Sequence, residues 1–303
     1  MPIKIKDSLP AQSILESENI FVLTENRAVH QDIRPINVLI LNLMSNKVET
    51  ETQLLRMLSN SPLQVNVELL TTETYRSKKN AEHLDSFYKT FTDVKDRKFD
   101  GMIITGAPLP YVEFEDVVFW DEVCMIMDWA ETHVHSLFNL CWGAFAAYYH
   151  HYGIKRKFYT DRIKLSGIYK HDIVTPKDPL FRGFDDEFYA PHSREWFIEM
   201  DEVVANPDLV VMAYNKKAGP AIVKTKDNKK IFVLSHGEYD YNTLSDEYFR
   251  DLGKGLDAIM PEHYFPDDDP KKQPINYWRS AAQLLYTNWL NYYVYQSTPY
   301  DFV

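Results

Sequence analysis

Hydrophobic and polar positions along this chain fall into two alternating patterns. "INVLILNLM" (36–44) is an almost unbroken apolar run, β-branched at its start, which predicts a strand buried on both faces. "VETETQLLRMLSN" (48–60) then spaces Leu54, Leu55 and Leu58 at helical intervals, and "LQVNVELLTT" (63–72) alternates as a strand does. The pair of patterns recurs as a helix over 81–91, a strand over 99–108 ending in a Gly-Ala-Pro turn, a helix over 116–133 and a strand over 134–140. Such alternation is the sign of right-handed βαβ units. The expected fold class is α/β, flavodoxin-like, with a mostly parallel sheet and helices on both faces. The second half is richer in β patterns: "LVVMAYN", "PAIVKTKD" and "KKIFVLSH" read as strands, with "KDNKK" (226–230) as a hairpin turn. "LSDEYFRDLGKGL" (244–256) and "YWRSAAQLLYTNWLNYYVY" (277–295) read as helices. No linker or repeat divides the chain, so one domain over 1–303 is expected, with segment 1–35 packing on an α/β core of 36–303.

Bulk properties narrow the function classes. The 303 residues carry 33 basic against 44 acidic side chains, a net charge of −11, which argues against a nucleic-acid surface or a polybasic membrane patch. No apolar stretch is long enough to span a bilayer, and "MPIKIKDSLPAQ" has no signal core, so a cytoplasmic protein is expected. Cys124 and Cys141 are too few for a disulfide scaffold. The ten histidines show no zinc-type spacing, so no metal is expected; "PDDDP" (266–270) reads as a solvated turn, and His150 and His151 as surface or helix-end residues.

In parallel sheets reactive groups gather beyond the carboxyl ends of strands, where "TGAPLP" (105–110) and "NLCWG" (139–143) both fall. A cysteine at a strand-to-helix corner resembles a nucleophile elbow. Gly143 supplies room at the crowded turn, and Asn139 tolerates the left-handed region. The helix start would favour a thiolate at Cys141, and the backbone N–H of Trp142 would be an oxyanion donor. The local pattern alone leaves a catalytic and a structural thiol equally open. Cys124, mid-helix among Val123, Ile126 and Met127, reads as core. "FVLSHGEYD" (232–240) brings His236 to another strand end, with Glu238 two residues on, a base and its orienting carboxylate.

Strand-Cys-helix followed by H-x-E resembles the class I glutamine amidotransferase-like fold. Within it the chain is similar to the bacterial homoserine O-acyltransferases over residues 1 to about 300. The blocks that carry the likeness include "NIFVLTENRAVHQDIRP", "DVKDRKFDGMIITGAP", "KLSGIYKH", "LFRGFDD", "APHSR", "YFRDLGKGL" and "YFPDDDP". The resemblance implies ping-pong acyl transfer from an acyl-coenzyme A to L-homoserine in methionine biosynthesis, with no bound cofactor, by a homodimer. It places the acyl-thioester on Cys141, the general base on His236 and its support on Glu238, with substrate contacts at Lys164, Ser193 and Arg250. Lys47 also matches a recurrent lysine, without an assigned role.

The chain departs from the family pattern at Ser45, at Phe145 where glutamine is usual, and in "SHGEYD" (235–240). Family members with glycine after "GAPL" or "GAPV" transfer succinyl, and those with glutamate transfer acetyl, because a glutamate repels a succinyl carboxylate. Here the position is Pro110, and the block "GAPLPYVEF" (106–114) leans to the succinyl type. Acetyl transfer, a related acceptor such as serine, and a glutamine amidotransferase-like hydrolase are the alternatives.

Overall fold

The computed structural model describes residues 3–17, 22–24, 35–76, 80–109, 111–159 and 164–299. Its strands, in chain order, are β1 (Ile3–Ile5), β2 (Val22–Thr24), β3 (Ile36–Leu41), β4 (Val65–Leu70), β5 (Tyr88–Lys89), β6 (Phe99–Ile104), β7 (Val134–Leu140) and β8 (Lys157–Phe158). They continue as β9 (Leu165–Ile173), β10 (Glu187–Arg194), β11 (Trp196–Phe197), β12 (Leu209–Asn215), β13 (Gly219–Thr225) and β14 (Lys230–Val233). Twelve of them form one sheet in the order β10-β9-β12-β13-β14-β7-β6-β3-β4-β1-β2, with β5 also on β4. From β14 to β2 neighbours run parallel, and from β10 to β14 they run antiparallel.

The continuous apolar runs are explained by burial on both faces. Along β3, Val38 and Ile40 join one core, with the helices Lys47–Leu58 and Arg279–Asn288, while Leu39 and Leu41 join the other. The second core also receives the helices Trp120–His133 and Trp142–Tyr152. Helices therefore cover both faces of the parallel half, as the alternation predicts. At the N-terminus β1 pairs with β4 and with β2, so this segment widens the sheet.

Several boundaries differ from the reading of the pattern. The expected helix over 81–91 stops at Phe87, because Tyr88 and Lys89 pair with Leu69 and Leu70. A Thr90–Asp93 capping box then restarts a short helix at Phe91. The expected helix over 277–295 is α-helical over Arg279–Asn288 and becomes a π-helix over Trp289–Tyr295. β9 and β10, which the pattern does not announce, pair antiparallel from Leu165↔Arg194 to Glu187↔Asp172. Their facing residues include the buried His171 and His192, and polar side chains hidden inside a pair mask strand periodicity.

Candidate active site

β7 and β14 lie side by side in parallel, with Val233 opposite Leu140. Their next residues therefore leave the sheet at the same edge, which is why Cys141 and His236 meet although 95 positions separate them in the chain. The Cys141 N–H still donates to the Val233 carbonyl at 2.8 Å, while its own carbonyl accepts from Phe145 N at 3.0 Å and starts the helix. Between these two bonds the backbone must turn sharply, and Cys141 itself takes φ +44° and ψ −109°. A non-glycine residue held there stores strain of about 1–3 kcal/mol, a cost characteristic of functional corners. Asn139 does not share the left-handed conformation. It is a buried strand residue whose amide donates to the Ile231 carbonyl at 3.2 Å, so the ladder with β14 fixes it in extended form.

Gly143 is required by close approach rather than by its torsion angles. A Cβ at this position would stand 2.8 Å from the carbonyl oxygens of both Ile104 and Thr105, at the end of β6. The indole of Trp142 is buried against Phe114, Phe119 and Trp120, which anchors the first helical turn and its free backbone N–H groups. Gly106 lies beside this turn, and a Cβ there would be 3.7 Å from Cys141 Cβ and 3.9 Å from Trp142 N.

His236 is pinned from several sides. Its backbone N–H donates to the Pro191 carbonyl at 2.8 Å, its Nδ1 bonds Glu238 Oε1 at 2.7 Å, and its ring stacks on Tyr239 at 4.3 Å. Burial opposes charge on the imidazole. The Cys141 sulfur nearby and the hydrogen-bonded Glu238 carboxylate outweigh burial and hold its proton well above the usual histidine range. Cys141, His236 and Glu238 thus follow one another as sulfur, imidazole and carboxylate, an order along which a proton can pass.

Cys141 and His236 line a cleft of about 540 Å³, with the buried Glu238 bonded to His236 behind it. Lys164, Ser193 and Arg250 line it as well. β9 and β10 bring the first two together by pairing Ser166 with Ser193. Both bond to Glu247: Lys164 Nζ at 2.8 Å and Ser193 Oγ at 2.5 Å from Oε2. Glu247 is the residue that reading of the sequence missed. It lies three positions before Arg250 on the helix Thr243–Gly253, and that E-x-x-R spacing on an amphipathic helix was the available signal. Arg250 contacts Asp251 at 2.9 Å.

Phe145 is buried, and its ring lies 5.8 Å below the Arg194 guanidinium in the cleft wall. Arg194 donates to the carbonyls of Trp196 and Ala218, each at 2.6 Å. Pro110 lies outside the described residues. Cys124 packs at the margin of the core, where burial raises its thiol to about 12 and keeps it protonated. Lys47 is buried with Nζ 2.5 Å from the Asn42 carbonyl, and burial lowers it to about 8. Among the described residues one group of metal-type donors converges, Asp128, His150 and His151, at the far end of the helix that begins after Cys141. Among the described residues no helix is long and apolar enough to cross a membrane.

The sheet order and the elbow define the class I glutamine amidotransferase-like fold. A glutamine amidotransferase from Thermotoga maritima superposes with a TM-score of 0.55, covering 85% of this chain and 98% of its own at 12% identity, a likeness of fold alone. The family model described as homoserine O-succinyltransferase matches residues 2–300, and the chain belongs to that family. It is 54% identical to a homoserine O-acetyltransferase of Acetivibrio thermocellus, over 99% of this chain and 98% of the relative. It is 52% identical to a homoserine O-succinyltransferase of Shewanella piezotolerans, over 99% of this chain and 95% of the relative. The protein is a homoserine O-acyltransferase of methionine biosynthesis.

Proposed function

We propose that this enzyme moves an acyl group from an acyl-coenzyme A to the hydroxyl of L-homoserine through a thioester on Cys141. The observation that carries this reading is the convergence, in one cleft, of the Cys141–His236–Glu238 chain with a wall bearing both charge signs an amino acid needs. The Cys141 thiolate attacks the carbonyl of the acyl-coenzyme A, and the negative charge that develops on oxygen faces the Trp142 N–H. Collapse expels coenzyme A as a thiol that takes the proton from His236. His236 then removes the proton from the acceptor hydroxyl, whose oxygen attacks the enzyme thioester and releases Cys141. Glu238 fixes the tautomer and orientation of His236 throughout. At the opposite wall Glu247 receives the acceptor's ammonium and Arg250 its carboxylate, with Lys164 and Ser193 holding Glu247 in place. No bound cofactor takes part.

For the acyl group, most similar relatives carry the acetyltransferase name, and acetyl is the first reading. Succinyl is the second, favoured by the block around Pro110, which brings no carboxylate to repel a succinyl group. The enzyme is proposed to act in the cytoplasm as a homodimer. Exposed Phe249, Leu252 and Leu256, beside Arg250 in the chain, support pairing of two copies. Turnover with acetyl- and succinyl-coenzyme A, each against L-homoserine and L-serine, tests the assignment. Transfer to homoserine from one donor supports it, whereas transfer to serine alone, or glutaminase activity without acyl transfer, overturns it.

A further inference from the structure

We propose that Tyr286 is a positioning residue of the catalytic chain: its hydroxyl serves the Glu238 carboxylate oxygen that His236 does not use, directly or through one ordered water. The inference rests on the triad reading above and extends it by one group. Glu238 has two carboxylate oxygens, both in a buried side chain. Oε1 bonds His236 Nδ1 at 2.7 Å, whereas Oε2 is fully buried and has no hydrogen-bond partner among the described residues. Tyr286 is 1% exposed, and its hydroxyl oxygen is likewise buried without a partner among the described residues. A buried carboxylate oxygen needs a donor, and a buried tyrosine hydroxyl needs an acceptor. The two atoms are not hydrogen-bonded to each other as they stand, and one bridging water, or a small shift of the two side chains, meets both requirements.

The packing places the two groups in the same layer. The loop that carries His236 and Glu238 rests on the helix Arg279–Asn288, closely enough that a Cβ at Gly237 would stand 2.9 Å from Ala282 Cβ. Tyr286 lies one helical turn after Ala282 on the same face. Its ring packs on Phe138 with centroids 5.0 Å apart, three residues before the nucleophile. Burial first, and then the Glu238 charge, hold the Tyr286 hydroxyl protonated, so it is available only as a donor to that carboxylate. A residue required for packing alone would be served better by phenylalanine, which buries no hydroxyl.

A double-mutant cycle with Tyr286→Phe and Glu238→Gln tests the proposal, with L-homoserine as acceptor and whichever donor the wild type uses. Tyr286→Phe removes one oxygen atom and should still fold, with a thermal midpoint a little below wild type because a buried carboxylate oxygen loses its donor. Its kcat should fall about ten-fold, the worth of a hydrogen bond to a charged group, with KM for homoserine nearly unchanged. In the Glu238→Gln background the same substitution should have almost no effect. Wild-type kcat in Tyr286→Phe, a loss confined to KM, or an equal loss in both backgrounds overturns the inference and leaves the triad standing. Full activity in Glu238→Gln overturns the triad reading and the inference with it.

Discussion

The two walls of the cleft are built in opposite ways. The wall that we propose carries the nucleophile stands on adjacent parallel strands, β7 and β14, whose ends deliver Cys141 and His236 by register alone. Its parts are fixed by backbone hydrogen bonds, by the packing of Gly143 against β6 and by the buried indole of Trp142. The wall that we propose receives the acceptor stands on the antiparallel β9–β10 pair and the helix Thr243–Gly253. Its side chains, Lys164, Ser193, Glu247 and Arg250, are partly or well exposed; Lys164 and Ser193 hold Glu247, and Arg250 pairs with Asp251. A rigid wall suits covalent chemistry that tolerates little displacement, and a polar one can yield to an incoming charged acceptor.

Substitutions on the two walls should therefore fail differently. The largest effect is expected from Cys141→Ala, which should lower kcat by at least about 10⁴-fold. His236→Asn should cost about 10²–10⁴-fold, because it removes proton transfer and leaves the nucleophile in place. It should also change the pH dependence of stability. The fold holds the His236 proton more tightly than the unfolded chain does. That stabilisation is complete below the ordinary histidine value of about 6.5 and is lost as pH rises through the elevated folded value. The stability difference between wild type and His236→Asn, measured by denaturant titration, should accordingly shrink with rising pH. A difference that grows would contradict the sign.

Gly143→Ala should destabilise by about 1–3 kcal/mol, since the facing groups are backbone carbonyls that cannot rotate away. Wild-type stability and rate in this variant would mean that the elbow is looser than described. Smallest in rate is Glu247→Gln on the acceptor wall, which should raise KM for homoserine about ten-fold while thioester formation at Cys141 proceeds at the wild-type rate. If thioester formation slowed equally, the two walls would not be separable.

The same contrast governs what could be read from sequence. β3, β6 and β7 each give apolar residues to both cores, most plainly in the nearly unbroken run of β3, and the elbow follows β7 with residues no core strand needs. The antiparallel half announces itself less clearly. β9 and β10 bury His171 and His192 against each other, with Nε2 atoms 2.9 Å apart, and neither strand alternates cleanly. Lys164, Ser193 and Arg250 stood out only through resemblance to a family, since nothing in local spacing brings residues so far apart in the chain onto one wall. Glu247 escaped altogether, for its importance lies in bonding Lys164 and Ser193, a relation that exists only after folding. Asn139 shows the converse error. Its residue type suggested a left-handed turn, but pairing with β14 keeps it extended and shifts the strain onto Cys141.

The central claim is that Cys141 carries the acyl group, and intact-mass measurement after brief exposure to each acyl-coenzyme A, without acceptor, tests it most directly. The account predicts that the true donor adds the mass of a single acyl group to the wild type, that homoserine discharges it, and that Cys141→Ala shows no adduct. An adduct that persists in Cys141→Ala, or turnover by that variant at the wild-type rate, would contradict it.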